Sequence, residues 1–140
     1  MPPPTILASE LRRAVELRWA AEGPDVPTAF AGAPLQADAL PAWCELWAAL
    51  DAGQPARGAG RAAATVTAHV FARESPDCRL AEQILDQAAA ALAGKTLPLP
   101  AGHLRLREPE VRDLTRDRAA ASPAVLRHLV LTIPAVAEAA

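Results

Sequence analysis

Apolar residues recur at helical spacing near the start of the chain. Intervals of four residues separate the members of this stripe, as on one face of an α-helix, while most charged residues lie off it. Thr5 stands where the capping residue of such a helix is expected, and Gly23-Pro24 is typical of a helix end. The residues of the stripe are Leu7, Leu11, Val15 and Trp19.

A second amphipathic helix is predicted in the middle of the chain. Ser75-Pro76 is typical of a capping residue followed by the first helical position, and Gly94 ends the periodic pattern. Polar residues such as Glu82 and Asp86 are expected to face outward. The apolar stripe holds Leu80, Ile84, Ala88 and Ala91, with Ala81, Leu85 and Leu92 beside it.

Alternation of side chains predicts a long β-hairpin between the two helices. Trp43–Leu50 alternates with period two, although its Leu and Ala content also suits a short helix. Arg61–Arg73 is the clearest strand, because Val66 and Val70 share one face while Thr and His side chains occupy the other. Asp51–Gly60 is rich in Gly, Pro and Ala, so we expect a flexible tip that projects from the body.

Shorter segments complete the predicted fold. They are an edge strand or lead-in loop at Val26–Phe30, a proline-broken connection at Leu97–Pro100, a short strand at His103–Arg107, a loop or frayed turn at Glu110–Ser122, and a final strand at Val125–Ile133. The predicted class is α+β: a mainly antiparallel sheet of four to five strands with a long β-hairpin, and two helices packed on one face. Residues 1–140 are expected to form a single domain.

Charge and hydropathy argue against two classes of function. The net charge of −2 argues against a strongly basic surface that wraps nucleic acid. Met1–Thr5 lacks the pattern of a signal peptide, and no apolar run approaches the roughly 20 residues that cross a bilayer. We therefore expect no membrane partner, and a chain that stays in the cytoplasm unless it leaves as part of a particle.

Cysteine and serine positions do not predict a nucleophile. Cys44 and Cys78 fall in different predicted elements without CxxC spacing, which favours buried free thiols in a reducing compartment. A thiolate is disfavoured inside the apolar strand that holds Cys44. Ser75 and Ser122 both precede prolines, which is typical of caps and turns. We therefore predict no catalytic residues.

Three histidines are the remaining candidates for chemistry. His69, His103 and His128 all fall in predicted strands. They could ligate a metal only if neighbouring strands placed them on one face, and no spacing between them or local carboxylate motif supports this. We therefore expect ordinary histidines, no metal and no cofactor.

Two charged segments are candidate contact surfaces for other subunits or a tube. The alternation of acids with arginines in the second segment could instead form a solvated loop that neutralises itself. Trp43 and Trp47 share a strand face, either as core residues or as interface anchors. The candidate interface residues are Gln54, Arg57 and Arg61 at the hairpin tip, and Arg112, Asp113, Arg116, Asp117 and Arg118 in the charged loop.

The order of these segments resembles that of phage tail terminator proteins and the related tail-completion proteins. Members begin with a helix and a short "VP-x-A" strand, followed by a long β-hairpin. The corresponding segments here are "LRWAAEGPDVPTAFAGAP", "PAWCELWAAL", "GQPARGAGR" and "AAATVTAHVFARE". The family's second helix and closing strands correspond to "SPDCRLAEQILDQAAAAL", "HLRLREP" and "VLRHLVLTIP". The likeness covers nearly the whole chain at the level of pattern.

This resemblance implies a structural virion protein that is not an enzyme. Such proteins cap the growing tail tube as a ring, commonly a hexamer, end its polymerisation and offer a face to the head. The implied partners are further copies of the chain, the tail tube protein and the head–tail connector protein. DNA passes through the ring without specific binding. The implied location is the virion tail of a phage or gene transfer agent, assembled in the cytoplasm of a bacterial host.

Other classes of function stay open. A neck or head-completion protein of the same fold has a different place in the particle. A small ligand-binding or enzymatic α+β domain would need a pocket with convergent polar groups, for which the three histidines are the candidates. A plain adaptor domain would bind one bacterial partner.

Overall fold

The computed structural model describes residues 5–30, 33, 35–37, 40–53, 57–74, 79–115 and 125–139. Helices α1 (Ala8–Glu22) and α2 (Arg79–Leu92) lie in this part of the chain. Its strands are β1 (Thr5–Leu7), β2 (Thr28–Phe30), β3 (Ala42–Leu50), β4 (Arg57–Ala59), β5 (Arg61–Glu74), β6 (Thr96–Leu99), β7 (Gly102–Leu106), β8 (Glu110–Asp113) and β9 (Val125–Ala139).

Seven of the described strands form one mixed sheet. Its order is β2-β3-β5-β9-β7-β6, and β8 pairs with β9 beside β7. Strand β2 runs parallel to β3, whereas the other pairs are antiparallel. The α+β class is therefore confirmed. The sheet is larger than the four to five strands predicted and is not purely antiparallel, because short segments without clear alternation also join it.

The centre of the sheet is built by three long strands. β3 and β5 form the predicted hairpin, in register from Ala42↔Ala72 to Leu50↔Ala64. β5 then pairs along its whole length with β9, from Glu74↔Val125 to Arg61↔Glu138. Because successive side chains point to opposite faces, even positions of β3 and β5 share a face with odd positions of β9. The short-helix alternative for Trp43–Leu50 is wrong.

Both described helices pack on that face of the sheet. The indole Nε1 of Trp19 donates a hydrogen bond to Thr28 Oγ1 at 3.0 Å, which holds β2 beside the end of α1. Arg18 Nε donates to the carbonyl of Ala91 at 2.8 Å and links α1 to α2. The shared hydrophobic cluster includes Leu11, Val15 and Trp19 of α1, Ile84, Leu85 and Leu92 of α2, and Cys44, Leu46, Val66, Val70, Leu131 and Ile133 of the strands.

The predicted start of α1 and the predicted hairpin tip need correction. Thr5 is not the capping residue: α1 begins at Ala8, and Leu7 at the N-cap makes no side-chain capping bond. Instead β1 pairs with β4, which lies inside the expected loop Asp51–Gly60. This pairing holds the backbone at Ile6 in an extended conformation, and the Ile6 side chain is buried in the core. The hydrophobic gain from Ile6 thus outweighs a weak helical preference in the first turn.

Two segments predicted as connections form strands. Leu97–Pro100 contributes β6, in which Pro98 stands opposite His103 of β7. Proline is tolerated there because β6 is the last strand of the sheet, where one side needs no ladder hydrogen bonds. The start of Glu110–Ser122 contributes β8, which pairs with β9 from Glu110↔Thr132 to Asp113↔Leu129. Residues 116–122 lie outside the described part of the chain.

Strand β9 runs past Pro134, where the predicted strand stopped at Ile133. The carbonyl of Pro134 accepts a hydrogen bond from Arg107 N–H at 2.9 Å. In a strand the nitrogen and carbonyl of one residue point to the same side, so the Pro134 nitrogen also faces this side and not β5. Arg107 lies in the break between β7 and β8. The proline therefore removes no hydrogen bond from the β5–β9 ladder.

Glycines end both helices as predicted. Gly23 caps α1, and its N–H bonds to the carbonyl of Trp19 at 2.8 Å. Gly94 follows α2 with a φ of 69°, a conformation in which glycine carries no steric cost. The expected cap Ser75-Pro76 lies outside the described residues, and α2 is described from Arg79.

Candidate functional site

The candidate site lies on the face of the sheet turned away from the helices, here called the outer face. Its side chains come from odd positions of β3 and β5 and from even positions of β8 and β9. Cross-strand pairing arranges them in rows, because directly opposite residues lie side by side on one face. The first row is Trp43, Phe71 and His128; the second is Glu45, His69, Val130 and Arg112; the third is Trp47, Thr67, Thr132 and Glu110.

Aromatic rings of the first row form a continuous stack. The Trp43 and Phe71 ring centroids are 5.0 Å apart, with planes inclined by 12°. The Phe71 and His128 centroids are 4.3 Å apart, inclined by 16°. At the other end, the Arg73 guanidinium lies 5.2 Å from the Trp43 centroid, a cation–π contact. The rings of this row therefore pack face against face.

Two of the three predicted histidine candidates meet beside this stack. His69 Nδ1 and His128 Nε2 are 2.9 Å apart. The ring centroids are 5.1 Å apart, so the two nitrogens lie near the line between the rings and face each other directly. This is the geometry of an N–H···N hydrogen bond, in which the tautomers decide which ring donates. His103 lies elsewhere, with Nε2 3.7 Å from Glu138 Oε2.

A groove opens on the β3 side of the outer face. It has a volume of about 380 Å³, and its apolar walls come from β2, β3 and β5 and from Ala33, Leu35 and Ala37. Glu45 is the one charged residue among its described lining residues. We call it the Trp groove, because Trp43 and Trp47 lie on either side of Glu45 on the same strand face. Trp43 is 7% exposed and Trp47 is 45% exposed, so one is a core residue and the other is available for contact.

Apolar side chains are also exposed at the β8 side of the sheet. Leu114 is 40% exposed beside the exposed Arg112 on the outer face, whereas Val111, which is 51% exposed, stands opposite Leu131 and points to the helix face. Leu114 N–H bonds to the carbonyl of His128, which continues the β8–β9 pairing by one residue. We call Arg112 and Leu114 the β8 ridge. Large apolar side chains that stay exposed next to a charge are typical of contact surfaces.

The predicted interface residues are placed far apart where they are described. Arg61 is exposed at the start of β5 and stands opposite Glu138, whereas Arg112 stands opposite Val130. Eight residues of β9 separate these positions, about 27 Å at ~3.4 Å per residue. Asp113 is exposed next to Arg112. Arg57 has a described backbone in β4 but no described side chain, and Gln54, Arg116, Asp117 and Arg118 lie outside the described residues.

Cys44 is fully buried in the core between the sheet and the helices. Burial raises the pKa of its thiol to about 12, because the apolar surroundings disfavour the thiolate. The predicted buried thiol is therefore confirmed at Cys44, and Cys78 lies outside the described residues. Across the described ranges, no three His, Cys, Asp or Glu side chains form a group that could hold a metal ion.

Sequence reasoning missed Glu45, Phe71 and Leu114 as site residues. The period-two alternation in Trp43–Leu50 already places Glu45 on the same strand face as the tryptophans. The alternation in Arg61–Arg73 likewise places Phe71 on the same face as His69. The register between β5 and β9 was the missing information, because it depends on contacts between residues distant in sequence.

No protein-family model and no curated protein matches this sequence. Neither α1 nor α2, the helices of the described ranges, is long and apolar enough to cross a membrane.

Proposed function

We propose that the chain is a structural subunit that joins with copies of itself into a ring on the end of a phage-type tail tube. In this role it ends tube growth, presents a face to the head connector and catalyses no reaction. The ring belongs to the virion tail of a phage or gene transfer agent. The observation that carries the proposal is the pair of unlike contact surfaces at opposite edges of the outer face.

A closed ring requires two different surfaces on each subunit that meet head to tail. The Trp groove and the β8 ridge fit this requirement, since one is a concave surface and the other a row of exposed side chains. They lie at different edges of the outer face, with β9 between them. The long β5–β9 pairing between them makes a rigid spacer, which favours one repeated angle between neighbouring subunits.

The charge balance agrees with a ring through which DNA passes. A net charge of −2 does not favour tight, nonspecific binding to phosphates, and specific DNA contacts are not needed in a passage. We propose no membrane partner. The tail tube protein and the head connector would bind the two rims of the ring.

Tube growth gives the decisive test. Tail tube protein encoded by a neighbouring gene is polymerised with and without the purified chain, and tube lengths are measured by electron microscopy. We expect shorter tubes with the chain bound at one end only. Unchanged tube lengths, together with a chain that stays monomeric by light scattering at high concentration, would contradict the proposal.

A small ligand-binding domain is the second candidate, because the Trp groove is large enough for a small molecule. A carboxylate between two indole rings is suited to a cationic ligand with an apolar body. A screen of such compounds by thermal shift tests this candidate: a Glu45-dependent rise in melting temperature supports it, and no shift across the set contradicts it.

A further inference from the structure

Opposite charges occupy the two ends of one cross-strand row. Glu45 on β3 stands opposite His69, His69 opposite Val130, and Val130 opposite Arg112 on β8. Three strand spacings of about 4.8 Å place the two charged residues roughly 14 Å apart across the sheet. At that distance they do not form an ion pair within one subunit, so each is available to a group outside it.

Each of these charges lies beside at least one large apolar side chain. Glu45 lines the Trp groove between Trp43 and Trp47. Arg112 is exposed on the outer face, where its neighbours along β8 are Glu110 on one side and Leu114 on the other. A charge beside an apolar contact favours a partner of opposite charge, since a like charge brought against it would be repelled.

We propose that the β8 ridge of one copy docks into the Trp groove of the next copy, where Arg112 pairs with Glu45 and Leu114 packs against Trp47. The inference rests on the proposed ring and names its subunit contact. Arginine suits this position because its planar guanidinium can bind a carboxylate with two hydrogen bonds and also lie against an indole face. Each copy then uses its groove for one neighbour and its ridge for the other.

The same two residues could also pair in a face-to-face dimer with twofold symmetry. In that dimer Glu45 of each copy would pair with Arg112 of the other copy. Both surfaces would then be used, and the assembly would not grow beyond two copies. The number of copies in the assembly therefore separates the two geometries, and a complex of more than two copies requires the head-to-tail contact.

Charge reversal tests the contact directly. Arg112→Glu and Glu45→Arg are made singly and together, and assembly is followed by native mass spectrometry and on tube ends by electron microscopy. Each single substitution is expected to raise the subunit concentration needed for assembly at least about tenfold, since it places like charges together. The double substitution restores the opposite pair and is expected to return assembly to within about threefold of wild type.

Matched substitutions on the helix side of the molecule serve as controls. Glu82→Arg and Lys95→Glu make the same changes of charge at exposed positions on α2 and after it, and are expected to leave assembly unchanged. Near-ultraviolet circular dichroism reports whether each variant keeps the wild-type fold. Arg112→Gln and Glu45→Gln, which remove one charge without reversing it, are expected to weaken assembly by a smaller factor.

The outcomes separate this contact from the proposed ring. Rings that form equally well with either single reversal would overturn the contact and leave the ring in place. Single reversals that both abolish assembly, without rescue in the double variant, would also overturn it. A wild-type assembly that stops at two copies would overturn the head-to-tail arrangement. A wild-type chain that neither assembles nor binds tube ends would overturn both.

Discussion

His69 Nδ1 and His128 Nε2 face each other at 2.9 Å across strands β5 and β9. The bond joins a diagonal pair of residues, because His69 stands opposite Val130 and His128 opposite Phe71. It needs one nitrogen that carries a proton and one that does not. The stack on Phe71 holds the plane of the His128 ring, so the line between the two nitrogens has a fixed orientation. The pair thus ties the two central strands together on the outer face.

Replacing His128 by Ala is expected to lower the free energy of unfolding by about 1–3 kcal/mol. The substitution removes both the hydrogen bond and the ring stack. Urea unfolding measures the change, and His103→Ala is the control. His103 and Glu138 form a partly exposed pair at 3.7 Å, so its loss is expected to cost under about 1 kcal/mol. Equal costs for the two substitutions would contradict the assigned geometry. NMR of nitrogen-15-labelled chain should also show scalar coupling between His69 Nδ1 and His128 Nε2.

The two tryptophans of the Trp groove are expected to affect different properties. Trp43 is 7% exposed and stacked on Phe71, so Trp43→Ala should destabilise the fold by about 3–5 kcal/mol. Trp47 is 45% exposed, so Trp47→Ala should cost under about 1.5 kcal/mol of stability and mainly weaken assembly. Chemical denaturation and native mass spectrometry measure the two effects. Assembly that survives Trp47→Ala at wild-type strength would remove Trp47 from the contact.

Stability should fall in alkaline solution because of Cys44. Its folded pKa is about 12 and its ordinary value is 9.0, so above pH 9 the unfolded chain loses a proton that the folded chain keeps. The contribution is complete below pH 9 and is lost as the pH rises toward 12, by up to about 1.4 kcal/mol per pH unit. Urea unfolding between pH 8 and 10 measures the slope. Cys44→Ala should flatten this part of the curve, whereas an unchanged slope would contradict the burial of the thiol.

The same burial predicts slow reaction of Cys44 with thiol reagents. In a Cys78→Ser variant, Cys44 is the only cysteine, so labelling reports on it alone. We expect no labelling of the folded chain at pH 8 over the time in which the unfolded chain reacts completely, since the thiolate is the reactive form. Rapid labelling of the folded chain would contradict the placement of Cys44 in the core.

Gly102 is required where β7 meets β9. A Cβ atom added at Gly102 would collide with the backbone carbonyl of Glu138 on β9. Gly102→Ala is therefore expected to destabilise the fold by more than about 2 kcal/mol, through displacement of β7. Gly53→Ala is the control: Gly53 has a φ of 86° but open space around it, so the cost should be about 1 kcal/mol. A Gly102→Ala variant as stable as the control would contradict the close approach.

Strong periodic patterns made much of the fold predictable. Trp19 and Ile84 mark helices with one buried stripe, and Val66 and Val70 mark the long central strand, because burial on one face leaves a regular trace in the sequence. The strands β1, β4, β6 and β8 were missed. Each has only three or four residues, and such strands exist because a longer strand or the core offers pairing partners, which local sequence does not report. The predicted end of β9 at Ile133 was wrong because of Pro134. A proline interrupts a strand only if its nitrogen faces the neighbouring strand, and the local sequence does not show which side the nitrogen faces.

The candidate site was predictable only in part. Trp43 and Trp47 were correctly placed on one face, and alternation alone shows this. The hydrogen bond between His69 and His128, and the row that joins Glu45 to Arg112, depend on how β5, β8 and β9 are aligned. That alignment is a long-range property, so the sequence identified Arg112 within a charged segment but not the carboxylate at the other end of its row.

Electron microscopy of tube ends incubated with the purified chain is the sharpest test of the proposed ring. We predict a ring of density on one end of each tube, built from more than two copies, with Arg112 of each copy beside Glu45 of its neighbour. Tube ends that stay bare and continue to grow in the presence of the folded chain would contradict it.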